Sequence, residues 1–168
     1  IHRRILHRGN LIGDSKNRVH KQDPTQAGNM TDLKPFFDLS KHLSGQSDLV
    51  AHLVLNHQLH GQNLLTRVNY ESQLNRHSDA EEQLLRYLLC VDETPLTSPV
   101  RGESGYAQWF QQQGPFDAAK RSLRQLNLKT RLLEHRLSYL IYSRSFDALP
   151  QTAKSRLYRR LWEILTGR

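Results

Sequence analysis

From Ser47 to Tyr70 the chain reads SDLVAHLVLNHQLHGQNLLTRVNY, and histidines interrupt an apolar stripe at helical spacing. Val50, Leu53, His57, His60 or Gly61, Leu64 and Val68 follow one another at steps of three and four. Those steps trace one side of an α-helix and commit the stretch to a long amphipathic helix with a face to bury. Imidazole is a costly filler for such a face unless something uses its nitrogens. Gly61 costs about 1 kcal/mol of helix propensity and leaves room beside the backbone. Two readings stand at this point. The histidines ligate a metal or a haem, or they are hydrogen-bonded core residues.

The flanking sequence extends the helical pattern. Ser47 is a good N-cap, Asp48 suits the positive end of the helix dipole, and the helix is expected to run to about Asn75. Ser78-Asp79-Ala80-Glu81 has the form of a capping box, opening a helix whose apolar positions are Leu84, Leu85, Leu88, Leu89 and Val91. A short helix is expected after Pro35, with Phe36, Phe37 and Leu39 turned inward, and another over Gly105–Gln113, ended by Gly114-Pro115. From Ser122 the leucines at 123, 126, 128, 132, 133 and 137 again suggest a helix, with Tyr139–Tyr142 continuing it or forming a short extended stretch. The last helix follows Pro150, is expected to bury Leu157, Leu161, Ile164 and Leu165, and stops at Gly167. The expected fold class is therefore all-α, with about five or six helices in one compact bundle-like domain over residues 32–168. Residues 1–31, with Gly9, Gly13, Pro24 and Gly28, read as an irregular basic N-terminal arm.

Composition narrows the function classes. The 168 residues suffice for one core, and no run approaches the roughly 18 apolar residues that span a bilayer. Because the chain opens on Ile1 rather than Met, we expect a processed product or the C-terminal part of a longer chain. With 24 Lys and Arg against 16 Asp and Glu the formal charge is +8, which admits nucleic acid, anionic lipid or acidic protein as partners. The single cysteine, Cys90, excludes an internal disulfide, a multi-cysteine zinc site and a CxxCH haem attachment within these residues, and it reads as a buried structural thiol. There is no P-loop, GxGxxG or HExxH, and Ser104 in GESG lacks the flanks of a nucleophile elbow. RLYRRLWEIL combines a basic face with an aromatic anchor; it reads as a final packing helix with solvated arginines, and nucleic acid is the disfavoured partner.

The candidate site residues are histidines. His57, on the expected buried stripe, comes first, because imidazole is the usual axial ligand of haem iron and also binds zinc or copper. His60, three residues on, could share one ion with it, and no third ligand is evident nearby. His52 falls on another side of the helix and reads as solvated. His7, in the basic arm beside Gly9 and Asn10, is where a ligand from a draped arm would come from, with His2 and His20 as weaker versions.

Five segments read together: RGNLIGD, NMTDLKPFFDLSKHLSGQSDLVAHLVLNHQLHGQNLLTR, LLRYLLCVDETPLTSPVRGESGYAQWFQQQGP, RSLRQLNLKTRLLEHRLSYLIYSRSFDALP and RLYRRLWEILTGR. In order and spacing they resemble the C-terminal part of large, little-characterised bacterial secreted proteins that look related to c-type cytochromes. In that family a haem-attachment CxxCH lies upstream, and a glycine-rich segment leads into H-x-G-N, which His7, Gly9 and Asn10 match. His57 and Gln58 match the family's His-Gln on the long helix. Two departures stand out. Asn56 replaces an acidic residue before that His-Gln, and Glu134-His135-Arg136-Leu137 replaces an aromatic-proline-cysteine stretch before SYLIYS.

The resemblance implies an exported, periplasmic or secreted, helical accessory or C-terminal domain that packs against a haem and supports electron transfer. The haem would come from an upstream region or another chain, with His57, His7 and His60 as cofactor-binding candidates and His57 as the iron ligand. It implies protein partners, acidic or haem-bearing, no transmembrane segment, and room for a peripheral membrane contact. The alternative is a non-catalytic scaffold subunit of a larger periplasmic or membrane-associated complex.

Overall fold

The computed structural model describes residues 34–35, 38–41, 45–74, 79–91, 93–96, 99–102 and 104–167. The N-terminal arm with His2, His7 and His20, and also Phe36, Phe37 and Ser78, lie outside the described residues. The fold is all-α. Among the described residues five α-helices follow in order: α1 Leu49–Gln73, α2 Ala80–Leu88, α3 Tyr106–Gln111, α4 Arg144–Asp147 and α5 Gln151–Thr166, with 3-10 turns at Leu39–Lys41 and Tyr139–Tyr142. None of the described helices is long and apolar enough to cross a membrane. The chain divides into two compact units, and α1 contributes to both, to Val54 in the first and from Leu55 in the second.

In the first unit, α1 is started by Asp48 rather than Ser47. Its carboxylate accepts the Ala51 N–H at 2.9 Å and the Ser104 N–H at 3.1 Å, and also receives the Ser104 hydroxyl. Burial alone would raise this carboxyl's pKa; the hydrogen bonds from Ser104 and Ala51 outweigh it and hold the group below its ordinary value. A Cβ on Gly102 would come within 2.9 Å of Asp48 Oδ1, so glycine lets that loop close on the cap. Val50, Val54, Phe110 and Leu132 are buried here. The segment 127–131 is a turn. Asn127 Oδ1 accepts the N–H groups of Lys129 and Thr130, and Leu128 takes φ +57°.

The second unit is built on the remainder of α1, with α2 packed against α5. Leu65, Val68, Leu84, Leu85, Leu88, Leu133, Phe146 and Leu157 are almost wholly excluded from water, and each buried side chain of this size contributes roughly 2 kcal/mol. Arg156 on α5 forks onto Glu81 of α2 at 2.9 and 2.5 Å, and Arg67 pairs with both Glu71 and Asp79. Exposed pairs of this kind are screened by solvent and add little to stability. The end of α2 is a Schellman closure, with Cys90 N–H on Tyr87 O and Val91 N–H on Arg86 O. Cys90 therefore sits at φ +51°, half-buried, where helices ordinarily place glycine.

Three local expectations are corrected. The leucine run from Ser122 to Leu137 is not helical, because Ser122 and Asn127 turn their side chains onto nearby backbone N–H groups and offer the chain an alternative to the helix. In the helix expected after Pro35, only the 3-10 turn at Leu39–Lys41 is helical among the described residues. On α5, Leu157 and Leu161 face in, but Ile164 and Leu165 stay exposed, because the apolar arc is wider than the surface that covers it.

Candidate functional site

His57 lies mid-way along α1, where the helix meets Tyr87 of α2 and the corner Ser138–Tyr142. Its Nε2 is 2.8 Å from Ser138 Oγ and its Nδ1 is 3.0 Å from the Tyr87 hydroxyl. The same hydroxyl donates its proton to the His57 carbonyl at 2.8 Å. A phenol has one proton, so Nδ1–H must donate to the Tyr87 oxygen, and Nε2 then accepts the Ser138 hydroxyl proton. Ser138 Oγ in turn accepts the Leu140 N–H at 3.2 Å and caps the 3-10 turn, while Ser138 N–H donates to Leu88 O at 2.7 Å. Each donor in this chain has an acceptor, which is the condition for withdrawing polar groups from water.

The rings pack as tightly as the hydrogen bonds. His57 stacks on Tyr87 with centroids 4.9 Å apart, and Tyr139 lies tilted at 5.6 Å. Arg124 covers the Tyr139 ring at 4.8 Å. Burial, with a smaller push from His60, lowers the His57 pKa to about 4, so the imidazole is neutral at physiological pH. Burial likewise pushes the Tyr87 phenol up.

Gly61 is buried one turn further along α1. The room it leaves is taken: a Cβ there would stand 2.2 Å from Leu140 Cδ1 and 3.1 Å from Tyr87 Cε1. His60 is exposed and meets Tyr87 edge-on at 4.7 Å. The two histidines thus share a tyrosine. His52 is half-buried rather than solvated, and burial lowers its pKa. Asn56, where the resemblance expects an acid, is exposed, and the Tyr87 hydroxyl occupies the His57 Nδ1 side. His135, in the stretch that departs from the resemblance, bonds through Nε2 to Gln125 Oε1 at 3.0 Å.

A haem iron or zinc ion needs a free imidazole lone pair. His57 does not fit that requirement, since one ring nitrogen carries its proton to Tyr87 and the other accepts from Ser138. Among the described residues no group of three or more His, Cys, Asp or Glu is placed to hold a metal ion. Hydroxyl, imidazole and a further orienting group also make the outline of a serine nucleophile with its base. Ser138, however, has 0% of its surface exposed, so no substrate reaches it. The chemistry that this arrangement performs is orientation: it ties α1, α2 and the 138–142 corner together through one neutral ring. Sequence reasoning found His57 and missed Tyr87 and Ser138. The one available signal was a tyrosine among the leucines of RYLLC.

Comparison with family models, curated proteins and solved structures finds no match to this chain.

Proposed function

We propose that the chain is an exported helical accessory or C-terminal domain of a c-type-cytochrome-like protein, docking on a haem-bearing or acidic protein partner and supporting electron transfer from outside the iron's coordination. The observation that carries this reading is the uncovered row on α5. Tyr158, Trp162 and Leu165 share one face at steps of four and three, and Trp162 and Leu165 are 62% and 60% exposed. Exposed Arg159 adjoins the row, and tyrosine, tryptophan and arginine are the residues that concentrate at protein interfaces. The haem context rests on the five segments that carry the resemblance. The haem, which exchanges single electrons, belongs in this reading to an upstream region or another chain, in the periplasm or outside the cell. His57 then serves as a positioning residue that fixes the helices behind the docking face.

The test is the visible spectrum of the assembly isolated from its native source. A Soret band that His57→Gln leaves in place is the expected result, together with loss of the partner in the double variant Trp162→Ser/Leu165→Ser. A Soret shift in His57→Gln would put His57 on the iron. A colourless assembly would overturn the haem context. It would leave the second reading, a non-catalytic scaffold subunit, which the full commitment of His57 to Ser138 and Tyr87 favours.

A further inference from the structure

Away from His57, the second unit holds an open cleft of about 330 Å³ lined by Pro115, Phe116, Asp117, Arg121, Ser122, Leu123, His135 and Tyr142. Its loop is pinned before any ligand arrives. Asp117 Oδ1 accepts the N–H groups of Ala119 and Arg121 at 2.9 and 2.8 Å, Asp117 N–H donates to Arg121 O, and Arg124 Nε holds the Gly114 carbonyl at 2.8 Å. On the far side, His135 is tied to Gln125, whose Oε1 also receives the Ser122 N–H. A cleft with fixed walls pays little ordering cost on binding.

Two features of its lining point to one ligand chemistry. Phe116 and Tyr142 are 54% and 51% exposed, so two aromatic rings line the cleft with uncovered surface. Arg121 spends only Nε, on Asp117 Oδ2 at 2.8 Å, and its terminal nitrogens have no hydrogen-bond partner among the described residues. Asp117, by contrast, is already occupied by the loop: one oxygen takes two backbone N–H groups and the other takes Arg121. The negative charge of the pair is spent on the fold, while the outer edge of the guanidinium remains available. That edge matches a carboxylate in a two-point contact. We propose that this cleft binds a planar aromatic carboxylate, with the ring against Phe116 and Tyr142 and the carboxylate on Arg121.

Sodium benzoate, titrated at constant ionic strength into the 168-residue chain and followed by amide NMR, tests the site. Saturable shifts confined to residues 115–123, 135 and 142 are expected, with a dissociation constant on the order of millimolar for so open a cleft. Benzamide, which keeps the ring and loses the charge, and acetate, which keeps the charge and loses the ring, should each bind about tenfold more weakly. Arg121→Gln should lose about tenfold for benzoate and nothing for benzamide. Phe116→Ala should weaken both. These side chains are exposed, and unchanged far-ultraviolet dichroism will show that the variants fold. Shifts centred elsewhere, no saturation, benzamide equal to benzoate, or acetate equal to benzoate would each overturn the proposal.

Discussion

His57 on α1 and the Trp162 row on α5 lie in the same unit and invert the usual rule of burial. At His57 a polar ring is half-buried against apolar neighbours, and every nitrogen is used. On α5, large apolar side chains are outside, and nothing among the described residues covers them. A buried polar group and an exposed apolar row are the two departures that carry information about a protein. Here they separate cleanly. The half-buried histidine answers to the fold, since its partners are all its own neighbours. The exposed row stays uncovered by the described residues and is the face assigned above to a proposed partner. The residue type that most suggests chemistry is therefore tied into the fold, and the residues that most suggest packing stand exposed.

The largest test of that contrast is His57→Ala. It leaves the Ser138 hydroxyl without its acceptor and opens a cavity beside Tyr87 and Tyr139, so a loss of about 3 kcal/mol is expected from chemical denaturation. A loss under 1 kcal/mol would break the comparison, because His57 would then be dispensable to the fold. Stability against pH probes the same ring. The folded pKa of about 4 lies below the ordinary 6.5, so the unfolded chain takes up the proton first as pH falls. This contribution is complete above pH 6.5, declines between 6.5 and 4, and is gone below, amounting to about 3 kcal/mol at most. His57→Gln should remove that slope; an unchanged slope would place its origin elsewhere. Gly61→Ala is next. Alanine is about 1 kcal/mol the better helix former, yet the methyl group would collide with Leu140, so a net loss of about 1–2 kcal/mol is expected in thermal unfolding. The smallest effect belongs to α5. Trp162→Ser with Leu165→Ser should change stability by no more than about 0.5 kcal/mol. A loss above 2 kcal/mol would show that the row is already packed within the chain.

Much of the helical frame was legible because its signals are local. The stripe from Val50 to Val68 marked α1, and Pro150 and Gly167 bracketed α5, with Gly167 at φ +69° as a C-terminal stop requires. The leucines after Ser122 misled for the converse reason. Their spacing fits a helix, but Leu132 and Leu133 reach buried positions from an irregular chain whose turn is set by Asn127. Of the site, His57 was legible as an anomaly on an apolar face. Its partners were not, since Tyr87 is 30 residues away and Ser138 is 81, and periodicity is silent about such separations. Gly61 shows the same limit. A small residue announces a gap in the helix surface, and only the folded chain reveals that Leu140 fills it. The exposure of Leu165 was hidden because the sequence states how wide an apolar arc is, not how much of it the rest of the chain covers.

The hydrogen-bond chain through His57 also fixes where individual protons reside. Tyr87 must give its only proton to the His57 carbonyl, so the imidazole is locked as the Nδ1–H tautomer and Ser138 is held as a donor. Protons held in such a hydrogen-bonded chain trade with solvent more slowly than free ones, and their exchange rate reports on local opening of this corner. In a nitrogen-15 spectrum the two ring nitrogens of His57 should report one tautomer alone. The lifetime of the Nδ1 proton would then give the frequency with which α1, α2 and the Ser138 corner come apart.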